Sequence, residues 1–292
     1  MRQGYLTHGG YDVRLTLLVI LEFPKGIVTM KWGKLRSPVV GEMDRSKIVV
    51  IPLGALEQHG RHLPTLTDTI ITTELAERID SALGDAVLTL PTLWLGASDH
   101  HLAFPGTVSF SLETYVRVLC DIVESIIHGG FRKLFFLNGH GGNLVPGIMA
   151  INMVKQRHRD IEDLRLVFSS YWELAAAPMR QITEMQTWRL THACEYETSM
   201  VLFLEPQLVE MSAARGGTAS IDSQYWYPDY SQPGKITPAY LFEEVTTTGA
   251  MGRPELASAE KGQKLLDAIA QEIINFLRDF QRWGKIEKGI AA

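Results

Sequence analysis

Side chains that bind divalent ions or move protons gather at three places in this chain. The stretch IPLGALEQHGRHLPTLTD, residues 51–68, closes an apolar run at Gly54 and then presents Glu57, His59, His62 and Asp68. NGHGGN, residues 138–143, follows another apolar run and sets His140 among glycines. HACEYETS, residues 192–199, adds His192, Glu195 and Glu197. Carboxylates and imidazoles collected just past buried strands are the donor types of a divalent metal site. The chemistry expected of such a set is hydrolysis, because a bound ion lowers the pKa of water from about 15.7 to near 7 at a favourable zinc site.

Spacing assigns roles within the set. Glu57 and His59 are two residues apart, so in extended backbone their side chains leave on the same side. Each can serve one of two adjacent ions. Asp68 opens a helical pattern and alone would be a plain N-cap. With Glu57 and His59 just upstream, it is expected to bridge. His62 reads as a partner behind the ligands or as a surface residue. The glycines around His140 let backbone approach a ligand closely. The loop lacks the Lys and spacing of a phosphate-binding loop, which sets nucleotide binding aside. His192 titrates near neutrality and is a candidate acid or base. Glu197 is a candidate ligand, and Glu195 is expected to be a first-turn helix residue. Trp188, four residues before His192, offers an aromatic wall for a planar substrate, or else a core or interface tryptophan. Ser98, Asp99, His100 and His101 precede FPGTVSF, and one or two of them are expected to reach the substrate.

The elements that must hold these residues show in the apolar periodicity. Residues 47–53 and 86–90 read as strands, the second stopped by Pro91. Residues 133–137 are nearly all apolar, as in a strand covered on both faces, and 164–168 make a fourth strand. Helices are expected over 68–83 (Ile71, Leu75, Ile79 and Leu83 on one face), 112–127 (Tyr115, Leu119, Ile122, Ile126), 145–157, 194–204 and 258–280. Strands alternating with helices argue a parallel sheet with helices on both faces. Such sheets bind ligands beyond the carboxyl ends of their strands, where Glu57, His59 and His140 fall. Residues 213–253 are rich in Gly, Ser, Thr, Tyr and Pro and read as loops over the site or at a subunit contact. Tyr225, Trp226, Tyr227 and Tyr230 suit an interface, so a homo-oligomer is expected.

Composition narrows the class. The 292 residues carry a formal net charge of −5 and no basic stripe, which points away from nucleic acid. The two cysteines, Cys120 and Cys194, form no CxxC pair or disulfide framework, which favours a reducing cytoplasm. The apolar run 15–23 is too short to span a bilayer, which takes roughly 20 residues, and no small-residue cleavage site follows it. Residues 1–29 read as a disordered or loosely attached extension, and 30–292 as one domain.

LGALEQHGRHLPTLTD, GASDHHLAFPGT, NGHGGN and HACEYETS, in this order, resemble the motifs of the creatininase (creatinine amidohydrolase) family over residues 49–204. The resemblance implies a three-layer α/β/α fold with a mainly parallel sheet, usually assembled as a homohexamer. It implies a two-metal amidohydrolase using zinc, manganese or iron. Carried over residue by residue, Glu57, His59, Asp68 and His140 match metal ligands, with Asp68 bridging. His192 matches the catalytic histidine, and Trp188 and Ser98 match substrate contacts. There are departures. True creatininases have Tyr and a metal-binding Glu directly after the loop histidine, where this chain has Gly141 and Gly142. Glu197 is the candidate replacement; the alternative is a weak or absent second ion. Arg189 stands where the family has an acidic substrate contact, and Cys194 where it has Gly. Creatinine is therefore not the expected substrate, and an inward Arg189 would suit an anionic one.

The expected activity is hydrolysis of a non-peptide or cyclic amide C–N bond. A metal-bound hydroxide would be the nucleophile and His192 the proton donor, with one or two divalent ions per subunit. The substrate is a small-molecule amide, with no nucleic acid or membrane partner. Other branches implied by the resemblance are a maturation peptidase for a modified precursor and a formamide deformylase. A catalytically silent ligand-binding homologue is the non-enzyme alternative, and the retained ligand set argues against it.

Overall fold

Four strands, β1 (Ile48–Leu53), β2 (Val87–Thr89), β3 (Lys133–Asn138) and β4 (Arg165–Ser170), pair in the order β2-β1-β3-β4, all parallel. The register sets Ile48 opposite both Val87 and Lys133, and Lys133 opposite Arg165. From β1 the chain adds β2 on one side, then crosses back to add β3 and β4 on the other. The crevice where that order reverses lies between the carboxyl ends of β1 and β3, the usual ligand position in such sheets. The computed structural model describes residues 30–217, 223–226, 228–232, 235–286 and 289; the predicted extension 1–29 and Tyr227 lie outside the described residues.

The helices are α1 (Ser37–Gly41), α2 (Thr67–Leu83), α3 (Leu112–His128), α4 (Leu144–Arg157), α5 (Tyr171–Leu174), α6 (Ala176–Arg180), α7 (Glu195–Leu204), α8 (Phe242–Val245) and α9 (Ala259–Arg282). Alternation along the strands divides the core in two. Ile48, Val50, Phe135 and Leu137 face Ile71, Leu75 and Ile79 of α2, Met200 of α7, and Leu265, Ile269, Ile273 and Leu277 of α9. Val49, Ile51, Leu53, Leu134 and Phe136 face Tyr115, Leu119, Val123 and Ile126 of α3, with Ala150 and Val154 of α4. The fold is therefore a three-layer α/β/α sandwich. Each such buried aliphatic contributes about 1.5–3 kcal/mol relative to exposure. Among the described residues no helix is long and apolar enough to cross a membrane.

Two boundaries move in ways that matter for the site. Strand β4 runs to Ser170 because Ser169 and Ser170 continue the ladder opposite Leu137 and Asn138. The polar pair conceals a strand end that apolar patterning places at 168. Helix α2 begins one residue earlier than expected, with Leu66 as N-cap and no side-chain cap bond. Asp68 is thus not the cap, and its carboxylate is free to turn into the crevice.

Candidate active site

Glu57 and His59 leave the loop after β1, Asp68 the first turn of α2, and His140 the loop after β3. All four are buried. Close packing of these segments needs glycine at the two strand ends. A Cβ at Gly54 would lie 2.3 Å from Thr69 Oγ1, and one at Gly139 1.8 Å from Thr72 Oγ1. The structure brings the predicted residues into three overlapping groups, one of them Glu57, His59 and His192. Ligand atoms of Glu57, Asp68 and His140 lie within 4.8 Å of one another, and so do those of His59, Asp68 and Glu197. Asp68 belongs to these last two. Its Oδ1 is 3.0 Å from His59 Nε2 and its Oδ2 is 3.1 Å from His140 Nδ1.

Main-chain carbonyls orient the imidazoles. His59 Nδ1 lies 3.2 Å from the Glu57 carbonyl oxygen, which can only accept, so the proton is on Nδ1 and Nε2 turns to Asp68. His140 Nε2 lies 3.0 Å from the Ala97 carbonyl oxygen and 3.1 Å from Ser98 Oγ, leaving Nδ1 toward Glu57 and Asp68. Asn138 secures the same loop: its Nδ2 donates to the His140 carbonyl at 2.8 Å and its Oδ1 accepts from His140 N–H at 3.2 Å. Metal-binding histidines are held in this way, by a carbonyl behind the ring. Apart from a ring nitrogen of His101 near Glu57 Oε2 and one of His140 near Asp68 Oδ2, these two carboxylate oxygens have no polar partner among the described residues. Three buried carboxylates, inward ring nitrogens and orphaned oxygens fit divalent cations.

With protons alone to balance the carboxylates, the histidines take them up. Burial opposes charge on His59, but Asp68 outweighs it and raises the imidazole to about 9. His140 is likewise held well above its ordinary value against burial, by Glu57 and Asp68. Burial pushes the Glu197 carboxyl up to about 7 against the pull of the His59 charge. His192 differs. Its Nε2 donates to the Gln58 carbonyl at 2.8 Å, and its Nδ1 lies 3.6 Å from Glu57 Oε1. Burial, aided by the His59 charge, holds it well below the usual histidine value, hence neutral. Next to it Ala193 sits at φ 49°, the left-handed region, and donates its N–H to the Glu197 carboxylate. Such a conformation costs roughly 1–2 kcal/mol in a non-glycine residue. Here it aims His192 and Glu197 at the same cluster.

Other predicted residues land elsewhere. Ser98 is fully buried behind His140 and steadies the ring, so it is not on the substrate side. Trp188 is 61% exposed, with the Arg189 guanidinium carbon 4.2 Å from its ring centroid. Neither lines the cavity over the cluster, which is walled by His100, His101, Gly141, Trp172, His192 and Tyr230. Trp172 follows β4 directly and could have been found by the rule that located Glu57 and His140. Tyr230 comes from the 213–253 segment expected to loop over the site or a subunit contact, and it stands on the cavity wall although its aromatic ring reads as suiting an interface. Of the aromatics expected at an interface, Tyr225 is exposed but Trp226 is buried against Phe242, Val245 and Met251. Glu195 is no simple first-turn residue. It is buried, ion-paired with Lys261 at 2.6 Å, and accepts from the Thr187 N–H and hydroxyl at 2.7 Å each, pinning the segment that leads to His192. His62 is buried and bonded to Thr198 Oγ1 at 2.9 Å. Asn143 caps nothing with its side chain and instead ties Ala97 N–H to the Gly54 carbonyl.

The creatininase family, described as creatinine amidohydrolase, matches residues 33–277. The chain belongs to the creatininase family. A creatinine amidohydrolase from Pseudomonas putida is 28% identical over 243 residues, covering 80% of this chain and 89% of that one. A mycofactocin precursor peptide peptidase from Mycobacterium tuberculosis is 29% identical over 265 residues, 85% and 94% of the two chains. A solved manganese creatininase, 26% identical, and a mutant creatininase of Zn–Zn type, 25% identical, each superpose with a TM-score of 0.71, covering 86% of this chain and 98% of theirs. As a creatininase-family member the chain is a metal-dependent amidohydrolase. The family's Glu after the loop histidine has no room here. A Cβ at Gly142 would fall 1.9 Å from the Ala97 carbonyl oxygen and 2.5 Å from His140 Nε2. Glu197 brings a carboxylate to the same cluster from α7.

Proposed function

We propose that the protein is a two-metal hydrolase of a small, non-peptide amide, with zinc, manganese or iron as the metal. The observation that carries the reading is the Asp68 carboxylate, whose two oxygens face two separate donor groups. Glu57, Asp68 and His140 would hold one ion; His59, Asp68 and Glu197 would hold the other. Bound there, the ions supply a lowered pKa for water and polarisation of a carbonyl oxygen. The remaining work falls to the chain. His192, neutral and with Nε2–H tied to the Gln58 carbonyl, accepts the proton of the attacking water at Nδ1. It then returns that proton to the leaving nitrogen, which is too basic to depart as an anion. His192 is therefore an acceptor first and a donor second.

The cavity favours a small substrate. It leaves only about 10 Å³ open to a water-sized molecule, far below the usual ~300–1,000 Å³ of ligand pockets, so even a small amide needs the covering loops to give way. Trp172, Tyr230 and the His100 and His101 rings give it flat walls, which suits a planar cyclic amide, ureide or formamide. Among the described residues no Lys or Arg lines it, and Arg189 stacks on Trp188 outside, so an anionic group would find no guanidinium or ammonium partner there. This favours a neutral substrate over the anionic one suggested by Arg189. A peptide would need those loops displaced further. The test is a turnover screen of cyclic amides, ureides, formamides and a modified peptide, with metal-loaded and chelator-treated protein. Expected is metal-dependent turnover of a small amide; turnover of the peptide alone would overturn the substrate reading.

A further inference from the structure

Gln58 stands between two candidate ligands, Glu57 and His59, yet its side chain turns away from the cluster and is buried. Two main-chain groups fix its amide. Oε1 accepts from Gly60 N–H at 2.9 Å, and Nε2 donates to the Gly249 carbonyl at 3.0 Å. Exchanging O and N would break both bonds, so the orientation is set by the backbone alone. Gly249 is fitted to this arrangement: its φ is 82°, and a Cβ there would lie 2.0 Å from Gln58 Oε1.

The second amide hydrogen reaches His101. Gln58 Nε2 lies 2.8 Å from His101 Nδ1. A ring nitrogen that receives a hydrogen bond carries no proton, so the His101 proton is on Nε2. That atom faces Glu57 Oε2 at 3.4 Å, one of the two carboxylate oxygens of the cluster left without a hydrogen bond. The His101 ring cannot swing aside, because Phe242 stacks on it with centroids 3.9 Å apart and His192 lies at 4.6 Å. Meanwhile the Gln58 carbonyl holds His192 Nε2–H. Gln58 Nε2 also lies 3.2 Å from His192 Nε2, but that nitrogen already gives its proton to the Gln58 carbonyl, which leaves His101 Nδ1 as the acceptor for the second amide hydrogen.

We propose that Gln58 is a positioning residue: its side-chain amide fixes His101 as the Nε2–H tautomer, and His101 in turn orients the Glu57 carboxylate toward its ion. The last step rests on the two-metal reading above; the tautomer step does not. The consequence is a separation of effects. Removing the amide should disturb His101 and Glu57, while His192, which loses a 3.2 Å contact to Gln58 Nε2 but keeps the Gln58 carbonyl, should retain its proton on Nε2.

The test compares wild type with Gln58→Met, of similar length but without donors, by long-range ¹H–¹⁵N spectra of the imidazoles. Assignment uses His101→Gln and His192→Gln, and zinc affinity is measured by chelator competition. Expected in wild type, zinc-free or loaded, is a bare Nδ1 and protonated Nε2 on both His101 and His192. Expected in Gln58→Met is loss of the single His101 tautomer, a His192 still protonated on Nε2, and zinc affinity lowered about 10–100-fold, the usual effect of removing a group that orients a ligand. A His101 proton on Nδ1 in wild type would overturn the proposal, and that result needs no variant to fold. So would an unaltered His101 signal and zinc affinity in Gln58→Met. Failure of wild type to bind zinc would overturn the metal reading and the Glu57 step with it, while the zinc-free His101 spectrum would still judge the role of the amide.

Discussion

The ligand side and the substrate side of this cavity are built differently. Glu57, His59 and His140 lie within a few residues of the ends of β1 and β3, and each candidate imidazole is held by a main-chain carbonyl: Glu57 for His59, Ala97 for His140, Gln58 for His192. Tyr230, and Phe242 at the start of α8, instead come from segments tethered to the His192 segment. Tyr230 N–H donates to the Leu190 carbonyl at 2.8 Å, Leu190 N–H donates to Asp229 Oδ1 at 3.3 Å, and Met251 N–H donates to the His192 carbonyl at 2.8 Å. Chemistry is therefore fixed to the sheet, and Tyr230 ties part of the substrate wall to the proton-transfer residue, while Trp172, His100 and His101 supply the rest. A change on the first side should alter metal content and all turnover together. A change on the second should alter substrate preference with the metal retained.

The largest effect should come from Asp68→Ala. Losing the residue shared by both donor groups is expected to abolish binding of both ions, with activity falling to background. His62→Ala removes a buried bond to Thr198 and should cost about 1–3 kcal/mol in denaturant unfolding, while elemental analysis finds the metal still bound. Equal metal content in the two variants would contradict the separation.

The next effect is one of pH. His59 is raised to about 9 without an ion, so at neutral pH metal binding must expel its proton. Affinity for manganese should therefore climb as pH rises from about 6 to about 9. The imidazolium's own contribution to metal-free stability runs the other way. It is fully present below the unfolded value of about 6.5 and is lost as pH rises through about 9. Calorimetry in buffers of different ionisation enthalpy would count the protons released. Release of none at neutral pH would show that the ring is already bare.

The smallest effects should fall on the walls. Tyr230→Ala is expected to lower kcat/KM for the best substrate by about 10–100-fold, as for loss of one well-packed contact, with metal content unchanged. Trp188→Ala, at an exposed stacked residue, should change stability by no more than ~0.5 kcal/mol and kcat/KM by less than Tyr230→Ala does. The reverse order, measured by steady-state assay, would mean that Trp188 folds over the substrate.

The ligand side was largely legible in the sequence because its residues are local. Glu57, His59 and Asp68 fall within a dozen positions, after a strand whose burial on both faces shows as an unbroken apolar run. The walls were legible in part: one or two of Ser98, Asp99, His100 and His101 are expected to reach the substrate and 213–253 to loop over the site or a subunit contact, but Tyr230, which meets Gly141 across 89 positions of chain, reads as an interface residue. Ser98 shows the limit of motif reading: a serine in the right segment proved to lie behind the histidine. Arg189 shows the limit of charge reading, because an adjacent tryptophan face holds the guanidinium away from the cavity. Gln58 was hidden between two candidate ligands, and its pairing with His101, itself among the residues expected near the substrate, arises only when the fold brings positions 43 apart together.

The most direct measurement of the central claim is anomalous diffraction from zinc-loaded crystals. Expected are two peaks bridged by Asp68, one also held by Glu57 and His140, the other by His59 and Glu197. A single peak, or two peaks with the Glu197 carboxylate turned away from both, would contradict the assignment of Glu197 as the carboxylate that Gly142 has no room to supply.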